Sequence, residues 1–163
     1  MRFLLCVAFL LALSGPSWAQ QSPPEPARRL SADARVALVT VTPGSAIYNR
    51  WGHTAIRITE YESGLDVLFN YGTFEFTNTF VFSFAYGALD YTLSMASPAD
   101  SYDFYAYEGR GVIEQTLDLS PDETNRLWAL LVDNAREENR TYRYHFLYDN
   151  CSTRPRDIVE DAA

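Results

Sequence analysis

Two runs of alternating apolar and polar residues, His53–Glu60 (HTAIRITE) and 67–76 (VLFNYGTFEF), flank a turn at Ser63-Gly64. Alternation with a period of two is the pattern of a half-buried strand, and a short turn between two such runs predicts an antiparallel hairpin. A hairpin with one buried face must hold its register, because a slip of one residue sends every side chain to the opposite face. The rest of the chain has to supply cover for that sheet. Residues 34–42 are apolar and β-branched and read as a first strand, closed by Pro43-Gly44, with 45–52 as a loop. Residues 109–119 hold a further alternating strand, 141–148 read as extended, and 79–93 are aromatic and fit a helix or a strand equally.

Helical signals lie in the second half. Ser120-Pro121-Asp122-Glu123 has an N-cap serine, a proline at the first turn and the reciprocal acid of a capping box. Leu127, Leu130 and Leu131 follow at the spacing of a buried stripe. Further on, Asp149-Asn150-Cys151-Ser152-Thr153 offers several capping residues ahead of 154–159, which places Cys151 near a helix N-terminus. No internal repeat is present, and the predicted class is α+β, one domain over 34–163.

Residues 1–19 (MRFLLCVAFLLALSGPSWA) read as a secretory signal: one Arg, an apolar run of about 11 residues that is short for a bilayer span, and small residues at Ser17 and Ala19. Cleavage near Gln20 would export the mature chain, and 20–33 read as a Pro-rich polar linker. Cys6 leaves with the signal, so Cys151 is a single thiol in an oxidising compartment with no partner for an internal disulfide. The chain carries 13 basic residues, all Arg, against 21 acidic ones, a net charge of −8. An acidic chain without a basic run is a poor ligand for nucleic acid phosphates, and no nucleic acid partner is expected. Neither histidine has a second ligand at metal-binding spacing, so no metal or cofactor is expected.

A thiol at a helix N-terminus is stabilised as the thiolate by unpaired N–H groups, and an adjacent imidazole can take its proton. His53 and His145 are the two histidines. His145 lies six residues before Cys151 in an extended segment, about 20 Å away if the chain runs straight, and only a sharp reversal would bring it back. His53, after Trp51-Gly52 and at the start of a strand, is the better base. Asn70 on the returning strand is the first choice to orient the imidazole, with Glu60 and Asp66 as weaker alternatives. Arg154 and Arg156 read most simply as solvated helix-end charges paired with Asp157 and Glu160. Their functional alternative, with Tyr71 beside them, is a substrate site that clamps an anion or lipid head group.

The segments WGHTAIRI (51–58), FNYGTFEF (69–76), LDYTLS (89–94), RGVIEQTLDLSPDE (110–123) and ENRTYRYHFLYDNCSTRPRDIVE (138–160) together make the chain similar to a known family. It resembles the N-terminal periplasmic domain of the bacterial lipoprotein N-acyltransferase Lnb. The resemblance implies a circularly permuted papain-like fold with His before Cys, an order shared with the lecithin:retinol acyltransferase group and some NlpC-type peptidases. It implies that Cys151 takes an acyl group from a phospholipid as a thioester and passes it to the N-terminal amine of a lipoprotein. His53 would act as base and then acid, and N–H groups at the helix start would hold the oxyanion. Implied partners are phospholipid, lipoprotein and a membrane surface. Full-length relatives carry a C-terminal bundle of membrane helices, so the chain reads as a truncated form, a reduced paralogue, or the partner of a separate membrane subunit. The alternatives are an NlpC-like thiol hydrolase of cell-wall peptides or other amides and esters, and a non-catalytic envelope module.

Overall fold

The computed structural model describes residues 28–74 and 89–163. The signal segment 1–19, the linker up to residue 27 and most of the ambiguous 79–93 stretch lie outside the described residues.

Six strands form one open antiparallel sheet: β1 (Arg35–Val41), β2 (His53–Glu60), β3 (Leu65–Thr73), β4 (Asp90–Ala96), β5 (Val112–Thr116) and β6 (Thr141–Arg143), in the order β5-β1-β2-β3-β4-β6. Among the described residues, three α-helices cover it: α1 (Pro98–Tyr107), α2 (Pro121–Asn134) and α3 (Thr153–Ala162). The class is α+β, as the sequence predicts.

The pairings Val36↔Ile58 and Ile58↔Val67 bring β-branched residues of three strands onto one face. With Phe69, Tyr71, Leu93 and Met95 they make the larger core, which α2 seals with Leu127, Trp128, Leu131 and Val132, and α3 with Ile158 and Ala162. The predicted stripe on α2 is thus shifted: Leu130 is only partly buried, while Trp128 packs edge-on against Phe69 with ring centroids 6.1 Å apart. The capping box forms as read, Ser120 Oγ accepting from Glu123 N and Glu123 Oε2 accepting from Ser120 N. The opposite face carries a smaller core of Val39, Val41, Ala55 and Leu68 under Tyr105 of α1. Helix α1 has no counterpart in the sequence reading, although Ser97 caps Asp100 N and Pro98 opens the first turn.

The end of the predicted linker is docked. Leu30 is buried, its N–H donates to Asn125 Oδ1 (2.7 Å), and Trp128 Nε1 donates to the Arg28 carbonyl (3.1 Å). Glu60, fully buried at the end of β2, accepts from Ser31 N (2.6 Å) and pairs with Arg28 and Ser63. The Arg28 guanidinium, followed by the Ser63 and Ser31 donors, outweighs burial and holds the Glu60 carboxyl down at about 2. A depressed carboxyl stabilises the fold fully above its ordinary value of 4.5, and that stability is lost as pH falls toward 2. We expect Glu60→Gln to cost about 1–3 kcal/mol at neutral pH and to flatten the loss of stability between these two pH values. Urea unfolding followed as a function of pH checks both.

Candidate active site

The hairpin register decides the site. Ala55 pairs with Asn70, and continuing that register sets Gly72 across from His53. His53 and Asn70 therefore share the α1 face of the sheet and are diagonal neighbours, within reach of a side-chain hydrogen bond. Asn70 Oδ1 stands 3.0 Å from His53 Nε2 and accepts its proton. That tautomer leaves Nδ1 as the free acceptor. Asp66 is held instead by Arg57 through two hydrogen bonds of 2.8 and 2.7 Å, and Glu60 by Arg28, so neither alternative orients the imidazole.

Cys151 arrives from the turn ahead of α3 and meets His53 at Gly72. A Cβ placed on Gly72 would stand 3.3 Å from His53 Cε1, 3.6 Å from His53 Nδ1 and 3.6 Å from Cys151 Cβ. The free edge of the imidazole and the thiol-bearing carbon thus face one another across a glycine. Its φ of +149° is a second reason for glycine at this position.

Asn150 builds the turn that presents the thiol. Buried to 8% exposure, its Oδ1 accepts from Ser152 N (2.9 Å) and Thr153 N (3.1 Å), and its Nδ2 donates to the Phe146 carbonyl (2.8 Å). Asn150 is thus the effective cap of α3; Ser152, in the N-cap position, makes no side-chain cap bond. The sequence reading places Asn150 among several capping residues without singling it out. Asn150 thus occupies two N–H groups of the helix start, and the Thr54 and Cys151 backbone N–H groups and the Ser152 hydroxyl are the neighbours that favour a charged sulfur.

The electrostatics differ from the expectation of a thiol lowered by a helix N-terminus. Burial is the largest influence on Cys151 and raises its pKa above the ordinary 9.0, against the Thr54, Ser152 and Cys151 donors and the Arg110 charge. Burial also lowers His53 below its ordinary 6.5, opposed by Asn70 and reinforced by Arg110. The resting pair at neutral pH is a thiol beside an uncharged imidazole, so the proton moves when an electrophile arrives. Arg110 is a site residue that no sequence pattern identifies. Its side chain is 5% exposed, its Nε donates to the Thr42 carbonyl (2.8 Å), and its guanidinium lies 5.2 Å from the centroid of the Tyr105 ring. Tyr105 in turn stands 6.5 Å from the His53 ring.

The remaining sequence candidates lie around this centre. Tyr71 is buried in the larger core, on the other face of β3 from Asn70. Arg154 pairs with Asp149 (Nη2–Oδ2 2.9 Å) and lies 3.8 Å over the Tyr142 ring, while Arg156 is exposed and pairs with Asp157. The chain does reverse at His145, whose N–H donates to the Asp149 carbonyl, but His145 Nδ1 accepts from Leu147 N and its ring lies 4.8 Å from Tyr148. Among the described residues no group of three His, Cys, Asp or Glu side chains could hold a metal ion.

Two outcomes follow from this geometry. The pH profile of Cys151 alkylation should have its inflection above 9 in the wild type, and Arg110→Met, which removes a positive charge felt by both groups, should move it higher still; iodoacetamide rates read by intact mass check this. Gly72→Ala should force the imidazole and thiol apart, because 3.3 Å is a tight approach for a new methyl, and should abolish His53-dependent chemistry while the far-ultraviolet circular dichroism stays unchanged.

The model of the Lnb N-terminal periplasmic domain family matches residues 24–163, from just ahead of the docked Arg28 segment to the end of α3. No curated protein and no solved structure matches the chain. The matched span contains His53, Asn70, Gly72, Arg110, Asn150 and Cys151, and the chain belongs to the Lnb N-terminal periplasmic domain family.

Proposed function

We propose that this envelope domain is a thiol acyltransferase that moves an acyl chain from a phospholipid to the N-terminal amine of a lipoprotein. The observation that carries this reading is the meeting of His53 and Cys151 at Gly72, with Asn70 on the far nitrogen of the imidazole. Membership of the Lnb N-terminal periplasmic domain family supports an envelope role, and the acyl donor and acceptor are those that the resemblance to the lipoprotein N-acyltransferase implies. The order His before Cys, on an antiparallel sheet with the thiol ahead of a helix, supports a circularly permuted papain-like architecture.

In this reading Cys151 Sγ attacks the ester carbonyl of the phospholipid as His53 Nδ1 takes the thiol proton. The oxyanion forms beside the Thr54 and Cys151 backbone N–H groups, the same neighbours that favour negative charge on the sulfur. Collapse breaks the C–O bond, His53 returns its proton to the departing lysophospholipid oxygen, and the acyl group stays on Cys151 as a thioester. The lipoprotein amine then attacks that carbonyl, His53 Nδ1 takes the amine proton, and the C–S bond breaks to give an amide. Asn70 holds the imidazole with Nδ1 toward the thiol throughout, so it is a positioning residue.

Incubation of the protein with phosphatidylethanolamine and phosphatidylglycerol should add one acyl mass to Cys151, removable by hydroxylamine and absent in Cys151→Ala. Asn70→Ala should slow acylation by about 10²-fold while Asn70→Gln restores part of it. A diacylated lipopeptide with a free N-terminal amine should then collect the acyl chain as an amide. Release of free fatty acid, or cleavage of muropeptides in place of acylation, would transfer the site to the hydrolase reading. No covalent intermediate with any of these substrates would leave a non-catalytic module.

A further inference from the structure

Beside the thiol lies a surface that the reaction itself does not use. Trp51 is 71% exposed, and across from it the turn ahead of Cys151 exposes Phe146 (53%), Leu147 (62%) and Tyr148 (76%). Trp51 and Phe146 meet edge-on with ring centroids 5.4 Å apart, so the two loops form one continuous apolar patch. Trp51 lies two residues before His53, and Tyr148 three before Cys151. The patch therefore rims the site.

The 145–149 turn is closed by its own hydrogen bonds. His145 N donates to the Asp149 carbonyl (2.8 Å), and Tyr148 N and Asp149 N donate back to the His145 carbonyl (3.2 and 3.0 Å). Leu147 N finds His145 Nδ1 (3.2 Å), and the Phe146 carbonyl finds Asn150 Nδ2 (2.8 Å). An apolar tip whose backbone groups are already satisfied can leave water without stranding them, which is the condition for entering a lipid interface. Its composition of Trp, Tyr, Phe and Leu is that of the membrane–water boundary, where amphipathic rings prefer to sit. Charge agrees. In a chain of net charge −8, segments 42–53 and 139–148 contain no Asp or Glu and carry Arg50, Arg140 and Arg143, the last of them paired with Asp90. An apolar rim whose own segments hold Arg50 and Arg140 and no acid is complementary to an anionic bilayer surface.

We infer that Trp51, Phe146, Leu147 and Tyr148 dock the domain on a phospholipid bilayer with the His53–Cys151 mouth facing the lipid. This deepens the acyltransferase reading, since a docked mouth meets an ester group at the head-group boundary without extracting the lipid. Its test does not depend on that chemistry.

The measurement is co-sedimentation of the chain, with its signal segment removed, with phosphatidylethanolamine–phosphatidylglycerol vesicles, together with tryptophan emission. Trp128 is buried at 3% exposure and Trp51 is open, so a blue shift on vesicle addition reports Trp51. We expect the wild type and Cys151→Ala to bind alike, with the shift, and the uncharged Leu147→Ser/Tyr148→Ser to bind about tenfold more weakly while its Cys151 alkylation profile is unchanged. Failure of the wild type to bind, equal binding of the double variant, or a dimer in solution that the double variant dissolves would each overturn the inference. Acylation of Cys151 from detergent-dispersed phospholipid without vesicle binding would sink the docking surface alone. Vesicle binding without any acylation would sink the acyltransferase reading alone.

Discussion

A slip of one residue between β2 and β3 would put His53 and Asn70 on opposite faces of the sheet and move Gly72 out from between His53 and Cys151. The pairing Ala55↔Asn70 prevents this, and it is held from both sides. On one face Ile56, Ile58, Val67 and Phe69 are fully buried beneath α2 and α3, and on the other Ala55 and Leu68 are buried beneath α1. Shifting the strand would bring Arg57, Asp66 and Thr59 into the larger core and expel its branched side chains, a cost of several large residues at about 1.5–3 kcal/mol each. The placement of His53, Asn70 and Gly72 is thus set by hydrophobic burial some distance along the same two strands.

The second constraint is the desolvation shared by the thiol and the imidazole. Polar neighbours in the sequence around Cys151 suggest a wet, activated thiol, but Asn150 turns its polar groups onto the helix start and the preceding turn. The sulfur is packed against the larger core, and burial favours the neutral form of each partner. A neutral pair is not an inert one. In the proposed reaction the uncharged imidazole would serve as the base, and the Arg110 charge would favour the thiolate as the proton leaves. A thiol kept protonated at rest also resists oxidation better than an exposed thiolate, which suits a cysteine of a periplasmic domain.

How far the sequence could be read depended on whether the signal was local. The hairpin, β1, the α2 capping box and the start of α3 each rest on residues within one or two turns of one another, and each lies where the pattern puts it. Helix α1 went unread because its apolar residues follow no clear stripe and its burial depends on Tyr105 meeting the back of the sheet. Arg28 and Leu30 sit in a polar, Pro-rich context and look like linker, yet Glu60 and Trp128, far along the chain, give them partners. Asn70 could be picked from its place on the returning strand, although its facing could not. Arg110 could not be picked at all, since its position rests on contacts with Thr42 and Tyr105.

By itself, then, the sequence determined an α+β domain around an antiparallel hairpin, a cysteine just ahead of a helix, and a histidine at the start of a hairpin strand. These follow from periodicity, capping chemistry and residue count, which act over short stretches of chain. The tertiary structure alone decided that α3 delivers Cys151 to the open edge of the His53 ring, that Gly72 leaves room for the meeting, and that burial keeps both groups uncharged. Those properties depend on the distance and dielectric between residues nearly a hundred positions apart, and no local pattern encodes either until the sheet has closed and the helices have covered it.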